Sequence, residues 1–382
     1  MEQKFPTPIE GAEISWFAPL CDGDDDYLGN RNPAYKSNWK NTSTIVQTAD
    51  SLGYRNVLCP SSYQVGQDTL SFVAAMAPLT KQINLLAAIR CGEIHPPMLA
   101  RTIATLDHML KGRLTLNIIS SNLPGTEISS ADRYARSREV IEILKQAWTK
   151  NRIEFQGKYY QLDLPTAPVK PYQQNGGPLL YFGGYSPDGV DLCAEHCDVY
   201  LMWPETEEKL QELMNTMKQK AAAYNRIVQF GLRVHVIVRE TEHKARSYAD
   251  GLLSKLNLQL GNDIRNRALD VASLGVARQS QLREESDEKY YVEPNLWTGI
   301  GLARSGCGAA IVGNPDQVIA KLKRYMDMGI HSFIFSGYPH QEECKLFAKY
   351  VLPHIKTISL PEVFGRVPKT TPHSPLGKGL RT

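Results

Sequence analysis

Along the chain, short apolar runs alternate with stretches in which apolar residues recur every three or four positions. These are the signatures of buried strands and of helices with one greasy face. Runs at 14–20, 56–60, 83–89, 113–120, 179–182, 199–202, 230–238 and 332–336 predict eight strands. Helical spacing at 38–52, 97–110, 132–148, 188–196, 205–224, 315–328 and 340–354 supplies helices between and after them. In the sixth of these, Val318, Ile319, Leu322, Tyr325 and Met326 form one stripe. A hairpin pattern at 153–162 interrupts the rhythm, and regularity lapses from Thr241 to Gly313. Strand–helix alternation of this kind predicts an α/β fold, a TIM (β/α)8 barrel with insertions. An open doubly wound sheet is the runner-up, but no GxGxxG follows the first strand. The barrel is expected to occupy residues 1–359 as one domain. Residues 360–382, rich in Pro, Gly, Ser and Thr, are expected to form a flexible C-terminal arm.

The stretch from Gly231 to Thr241 reads as the strand around which the rest is organised. Leu232, Val234, Val236 and Val238 fall on one face; Arg233, His235 and Ile237 fall on the other. A guanidinium in a buried strand requires an anionic partner or a hydrogen-bonded cage. A structural ion pair beside a satisfied core histidine is one reading, and an anion-binding site is the other.

Composition narrows the function. Among 382 residues, 43 Lys+Arg stand against 40 Asp+Glu, a formal charge of +3. That balance gives no basic face for nucleic acid. No apolar run reaches membrane-spanning length and the start has no signal-peptide core, so no membrane contact is expected. Seven cysteines without a CxxC pair fit a reducing, cytoplasmic location.

In parallel barrels the chemistry sits at the carboxyl ends of the strands. There the chain offers Arg90-Cys91-Gly92, Ser120-Ser121-Asn122, Gly183-Gly184-Tyr185-Ser186, Met202-Trp203, Arg233 with His235, and Ser336-Gly337-Tyr338-Pro339-His340. Gly183, Gly184, Tyr185 and Ser186 open a helix, where free N–H groups favour a phosphate. The hydroxyls of Ser120, Ser121 and Tyr134 are candidate further donors. No GxxxxGK[ST] run is present, which argues against a nucleoside triphosphate. Cys193 and Cys197 with His196 lie on an apolar helix and read as core rather than as a metal site, so no metal is expected.

Gly231–Thr241, Pro294-Asn295-Leu296-Trp297-Thr298-Gly299-Ile300-Gly301-Leu302-Ala303-Arg304 and Ser336–His340, with Asp26-Tyr27-Leu28-Gly29 and Tyr181-Phe182-Gly183-Gly184, resemble the bacterial FMNH2-dependent alkanesulfonate monooxygenases. These belong to the luciferase-like flavin superfamily. The resemblance implies a barrel with a mobile lid, here residues 241–313, usually in a homo-oligomer (dimer or tetramer). It implies reduced FMN delivered by a separate NAD(P)H-dependent flavin reductase, with O2 converting an organosulfonate to sulfite and an aldehyde. By position, Arg233, His235, Arg304 and Tyr338 match the family's catalytic residues. Trp203, His340 and Arg304 match its substrate-lining ones. The turns after strands two to four depart from the family pattern. A sister enzyme acting on a sulfone, amine or carbonyl, or a flavin-binding protein without turnover, therefore stands beside the sulfonate reading.

Overall fold

The computed structural model describes residues 9–373, apart from 22, 64, 65, 258, 260, 262, 264–272 and 305. Its strands are β1 (Glu13–Phe17), β2 (Asn56–Cys59), β3 (Asn84–Arg90), β4 (Leu114–Ile119), the hairpin β5 (Arg152–Gln156) and β6 (Gln161–Pro165), β7 (Leu180–Phe182), β8 (Val199–Met202), β9 (Gln229–Val238), β10 (Tyr291–Glu293), β11 (Leu296–Trp297), β12 (Ala310–Gly313) and β13 (Ile330–Ser336). Its helices are α1 (Trp39–Leu52), α2 (Thr69–Met76), α3 (Pro96–Met109), α4 (Ser130–Thr149), α5 (Pro187–His196), α6 (Glu207–Ala223), α7 (Glu242–Leu253), α8 (Leu274–Glu284), α9 (Pro315–Met328), α10 (His340–Tyr350) and α11 (Leu360–Val363). Several helices start where a side chain accepts an otherwise orphaned backbone N–H: Asn38 for α1, Ser129 for α4, Ser186 for α5 and Thr206 for α6.

The predicted barrel is present. β1, β2, β3, β4, β7, β8, β9 and β13 pair in parallel, each with two neighbours, and close on themselves through β9–β13 and β13–β1. Side-chain alternation on β9 sorts as expected. Leu232, Val234, Val236 and Val238 pack in the large core between barrel and helices. The interior carries a smaller core that includes Phe17, Leu58, Leu86, Tyr181, Leu201 and Ile334.

The arm expected from residue 360 is a correction. Ile358, Leu360 and Phe364 join the interior core and stop the amino-terminal end of the barrel. The Leu360 backbone N–H donates to Glu13, whose buried carboxyl also accepts from Tyr181 (2.5 Å), Ser332 and Asn56. Arg366 is buried and donates to the Gly177 carbonyl (3.3 Å) and to Asp198 (3.4 Å). A Pro/Gly-rich composition hid two apolar anchors and one cation that the barrel floor needs. Residues 374–382 of the expected arm lie outside the described residues.

The stretch 241–313 is likewise not all lid. The barrel strand β9 outruns β8, and β12 takes the vacated edge, pairing Ala310 with His235 and Gly313 with Val238. β11 and β10 then extend the sheet antiparallel. α7 packs beneath, so Ala245, Ala249, Leu252, Trp297, Ile300 and Ala303 form a second core with Leu28 and Tyr338. The interior of the excursion, 264–272, lies outside the described residues.

Candidate active site

β9 and β13 build one wall of the mouth. Their register sets Arg233 beside Ile334 and His235 beside Ser336. Ser336 Oγ accepts from Arg233 Nη2 at 2.8 Å and lies 2.7 Å from His235 Nδ1. The remaining contacts of Arg233 are long ones to the carbonyls of Val234 and Ile334, and its guanidinium rests 4.6 Å above the Phe17 ring. Among the described residues no carboxylate lies within ion-pair distance of this buried cation. The ion-pair reading therefore fails and the anion-site reading gains.

Burial, then the charges of Arg233, Arg304 and His340, push His235 well below the ordinary imidazole range. It is neutral near pH 7. The sign for stability follows. A base whose folded pKa is depressed contributes fully above its unfolded pKa, and that contribution is lost as pH falls below it. Each such group costs about 1.4 kcal/mol per pH unit below roughly pH 6.5. His235→Asn should flatten the fall in unfolding free energy between pH 6.5 and 5 by that share, measured by urea titration. Parallel slopes for the two proteins would mean that the folded imidazole is charged.

The cover of the mouth comes from the β13 exit, the excursion and the β1–α1 loop. The Tyr338 ring stacks on His235 (5.3 Å between centroids) and meets His340 edge-on (5.2 Å). Burial pushes the Tyr338 phenol up to about 12, so it is a proton donor at neutral pH, yet its hydroxyl has no hydrogen bond. The His340 backbone N–H donates to Asp24 Oδ1 (2.8 Å), and Nδ1 lies 3.2 Å from the same oxygen, but neither ring nitrogen makes an aligned hydrogen bond. Arg304 reaches the same place: its Cζ lies 6.0 Å from the Tyr338 ring centre and its guanidinium lies against Gly23. A Cβ at Gly23, whose φ is +100°, would fall 1.8 Å from Arg304 Nη1. Glycine is favoured there by the backbone, and a side chain would push the Arg304 guanidinium out of its place.

β3 stands opposite β9 in the eight-strand ring, and its inward Arg90 points into the mouth from that side. Arg90 donates to Ser121 Oγ, while Arg136 Nη2 donates to the Ser121 carbonyl at 3.1 Å. Both arginines are buried, neither has a carboxylate partner among the described residues, and Arg136 Nε has no hydrogen bond. Ser120 Oγ donates to Ser137 Oγ at 2.6 Å, and Ser137 in turn donates to the Arg133 carbonyl. The Tyr134 hydroxyl approaches α5 where Gly189 leaves room, since a Cβ there would meet it at 2.9 Å. Ser186 Oγ accepts Gly189 N–H as the α5 cap. Gly183 and Gly184 pack tightly against the Leu201 carbonyl and the Phe182 ring. Tyr185 is committed elsewhere, accepting Trp203 N–H at 2.8 Å, which leaves its hydroxyl out of the cradle. Trp203 lies beneath the excursion, against Gly275 and Gly306. α8 is fixed nearby by the buried Gln279, which donates to the Pro204 carbonyl (2.7 Å) and accepts Gly308 N–H (3.0 Å).

The structure thus brings Arg233, His235, Arg304, Tyr338 and His340 together, and sets Ser120, Ser121, Tyr134 and Ser186 around a neighbouring cradle. Phe17, Asp24 and Arg136 are additions, while Ser336 and Arg90, already among the strand-end residues, gain their partners here. The inward parity of β1 and β3 points to Phe17 and Arg90. Nothing local marks Asp24 or Arg136.

Residues 13–332 match the model of the luciferase-like monooxygenase family. A sulfoquinovose monooxygenase of Agrobacterium fabrum is 59% identical over 374 residues, covering 98% of this chain and 97% of the relative. A second, from Novosphingobium aromaticivorans, is 50% identical over 353 residues, covering 91% and 97%. Among solved structures, the oxygenating constituent of 3,6-diketocamphane monooxygenase from Pseudomonas putida, in complex with FMN, aligns with a TM-score of 0.67 at 17% identity, covering 91% of this chain and 100% of that one. Among the described residues, no helix is long and apolar enough to cross a membrane.

Proposed function

Because the chain belongs to the luciferase-like monooxygenase family, we propose that it uses reduced FMN and O2 to oxidise sulfoquinovose, a sugar sulfonate, releasing sulfite and an aldehyde. The reduced flavin comes from a separate NAD(P)H-dependent reductase. The observation that carries this reading is the pair Arg233 and Arg304 converging on buried donors that have no protein acceptor. Two guanidiniums offer the forked donors that sulfonate oxygens accept.

The residues fit the flavin as well. Arg90 and Arg136 lack a counter-ion among the described residues, and Tyr134, Ser120, Ser121 and Ser186 stand at the open end of α5, a suitable seat for its phosphate. When bound, the flavin supplies the oxidative chemistry, which no side chain here can perform. The chain's own residues bind, orient and exclude water. Arg233 and Arg304 hold the sulfonate against the β9 wall. Tyr338, protonated at neutral pH, donates to an oxyanion. His235, neutral and oriented by Ser336, is held down first by burial and then by the arginine charges; a bound anion that offsets the latter makes it a better proton acceptor. Trp203, beneath α8 and the segment around Gly306, keeps bulk water from the cavity.

The test is sulfite release with a flavin reductase, NADH and O2, comparing sulfoquinovose with simple alkanesulfonates. Sulfite matching O2 consumption with the sugar sulfonate is the expected result. Oxygen uptake without sulfite from any sulfonate, or turnover only with sulfones, amines or ketones, would overturn the assignment.

A further inference from the structure

Away from the mouth, three donors from two helices meet on the outer layer of the barrel. Glu142 comes from α4, and Glu195 with His196 from the last turn of α5. His196 Nε2 lies 3.6 Å from Glu142 Oε1 and 3.5 Å from Glu195 Oε2. The imidazole is 7% exposed, and its buried Nε2, aimed between the two oxygens, makes no hydrogen bond.

We propose that Glu142, Glu195 and His196 form a binding site for a divalent transition metal of the zinc class, clamping α4 to α5. Donors held 2.0–2.2 Å from a tetrahedral zinc stand about 3.3–3.6 Å apart. The two imidazole–carboxylate separations fall in that interval, too long for hydrogen bonds and right for ligands of one ion. Arg138 Nε donates to Glu195 Oε2 (2.6 Å), and Arg138 also reaches Asp191 (3.2 Å). An outer hydrogen bond of that kind orients a metal-binding carboxylate without displacing it. Lys145 and Arg226 are engaged with the carbonyls of His196 and Ala194, not with the two acids. Imidazole with two carboxylates suits zinc better than calcium or magnesium, which prefer all-oxygen shells. This donor set is distinct from the buried Cys193 and Cys197 thiols inside the same helix.

The clamp lies at the end of α5 remote from Ser186 and in the middle of α4, well beyond Tyr134. It would steady the two helices whose other ends frame the cradle described above, and it does not depend on what that cradle holds.

The experiment uses tag-free, chelator-treated protein titrated with Zn2+ by calorimetry and with Co2+ by absorption. One micromolar site per chain is expected, with a d–d spectrum lacking a thiolate charge-transfer band. His196→Ala should weaken it at least about tenfold. Glu142→Gln, at a half-exposed position where misfolding is not a concern, should do the same and should abolish the zinc-dependent rise in melting temperature. No binding below millimolar metal, a thiolate band, or unchanged affinity in Glu142→Gln would each overturn the proposal.

Discussion

Arg304→Ala is expected to lower kcat/KM for sulfite release by about 10²–10³-fold or more, while the Kd for reduced FMN stays within a few fold. The estimate comes from breaking a buried charge pair, which costs about 3–5 kcal/mol, at roughly 1.4 kcal/mol per factor of ten. Arg304 faces Tyr338 and the β1–α1 loop, not the cradle around Ser121. Its loss therefore leaves a sulfonate desolvated against Arg233 alone, whose guanidinium is also engaged with Ser336. Arg304→Lys separates charge from geometry: a point charge without the planar fork should recover part of the loss. Arg136→Gln should give the opposite signature. FMN affinity should fall toward that of riboflavin, with a smaller change in the KM for sulfonate. The measurements are single-turnover sulfite yield and flavin titration followed by fluorescence. Full turnover in Arg304→Ala would remove the sulfonate-holding role. Equal losses of FMN and sulfonate binding in both variants would show that the mouth and the cradle are one site.

These contrasts rest on features legible in the chain to different degrees. Period-two alternation placed Arg233 and His235 inside the barrel, because a strand has only two faces and the valine face had to meet the helices. The same reasoning applied to β3 puts Arg90 inside, beside Leu86 and Ala88. Ser336 stands at a strand end in the chain, but its role as partner of Arg233 and His235 arises only from the register that sets it opposite His235. Gly23 and Arg304, far apart in sequence, meet because the β1–α1 loop and the excursion share a small core through Leu28, Leu252 and Ala303. Such closure is a tertiary event. The excursion misled for a related reason: β11 and β12 are too short to show a period and owe their form to the edge of β9 that β8 leaves free. Tyr185, beside two glycines at the opening of α5, accepts the Trp203 backbone N–H at its hydroxyl, a contact that no local pattern announces.

Removing residues 360–382 is expected to unfold the protein near room temperature, whereas removing 374–382 should leave its stability nearly unchanged. Leu360 is fully buried in the barrel interior, and truncating one such side chain costs about 2–5 kcal/mol. Loss of Arg366 takes one of two cations from the buried Asp198, which keeps Arg226 at 3.5 Å and the Leu180 N–H, and adds about 1.5–3 kcal/mol, the worth of a hydrogen bond to a charged group. Together these approach the roughly 5–15 kcal/mol that holds a typical domain folded. Glu13 increases the penalty. Burial already pushes its carboxyl up, and without Leu360 N–H it loses one of the donors that make its charge tolerable. Because its folded pKa is raised, ionised Glu13 opposes folding once pH climbs above the ordinary carboxylate range. The truncated chain should accordingly recover some stability on mild acidification, against the trend set by His235. Circular dichroism melts of both truncations at pH 5 and pH 7.5 give the answer. A 359-residue chain that melts within a few degrees of the full one would return this segment to the status of a loose arm. The barrel floor would then have to be closed by β-strand side chains alone.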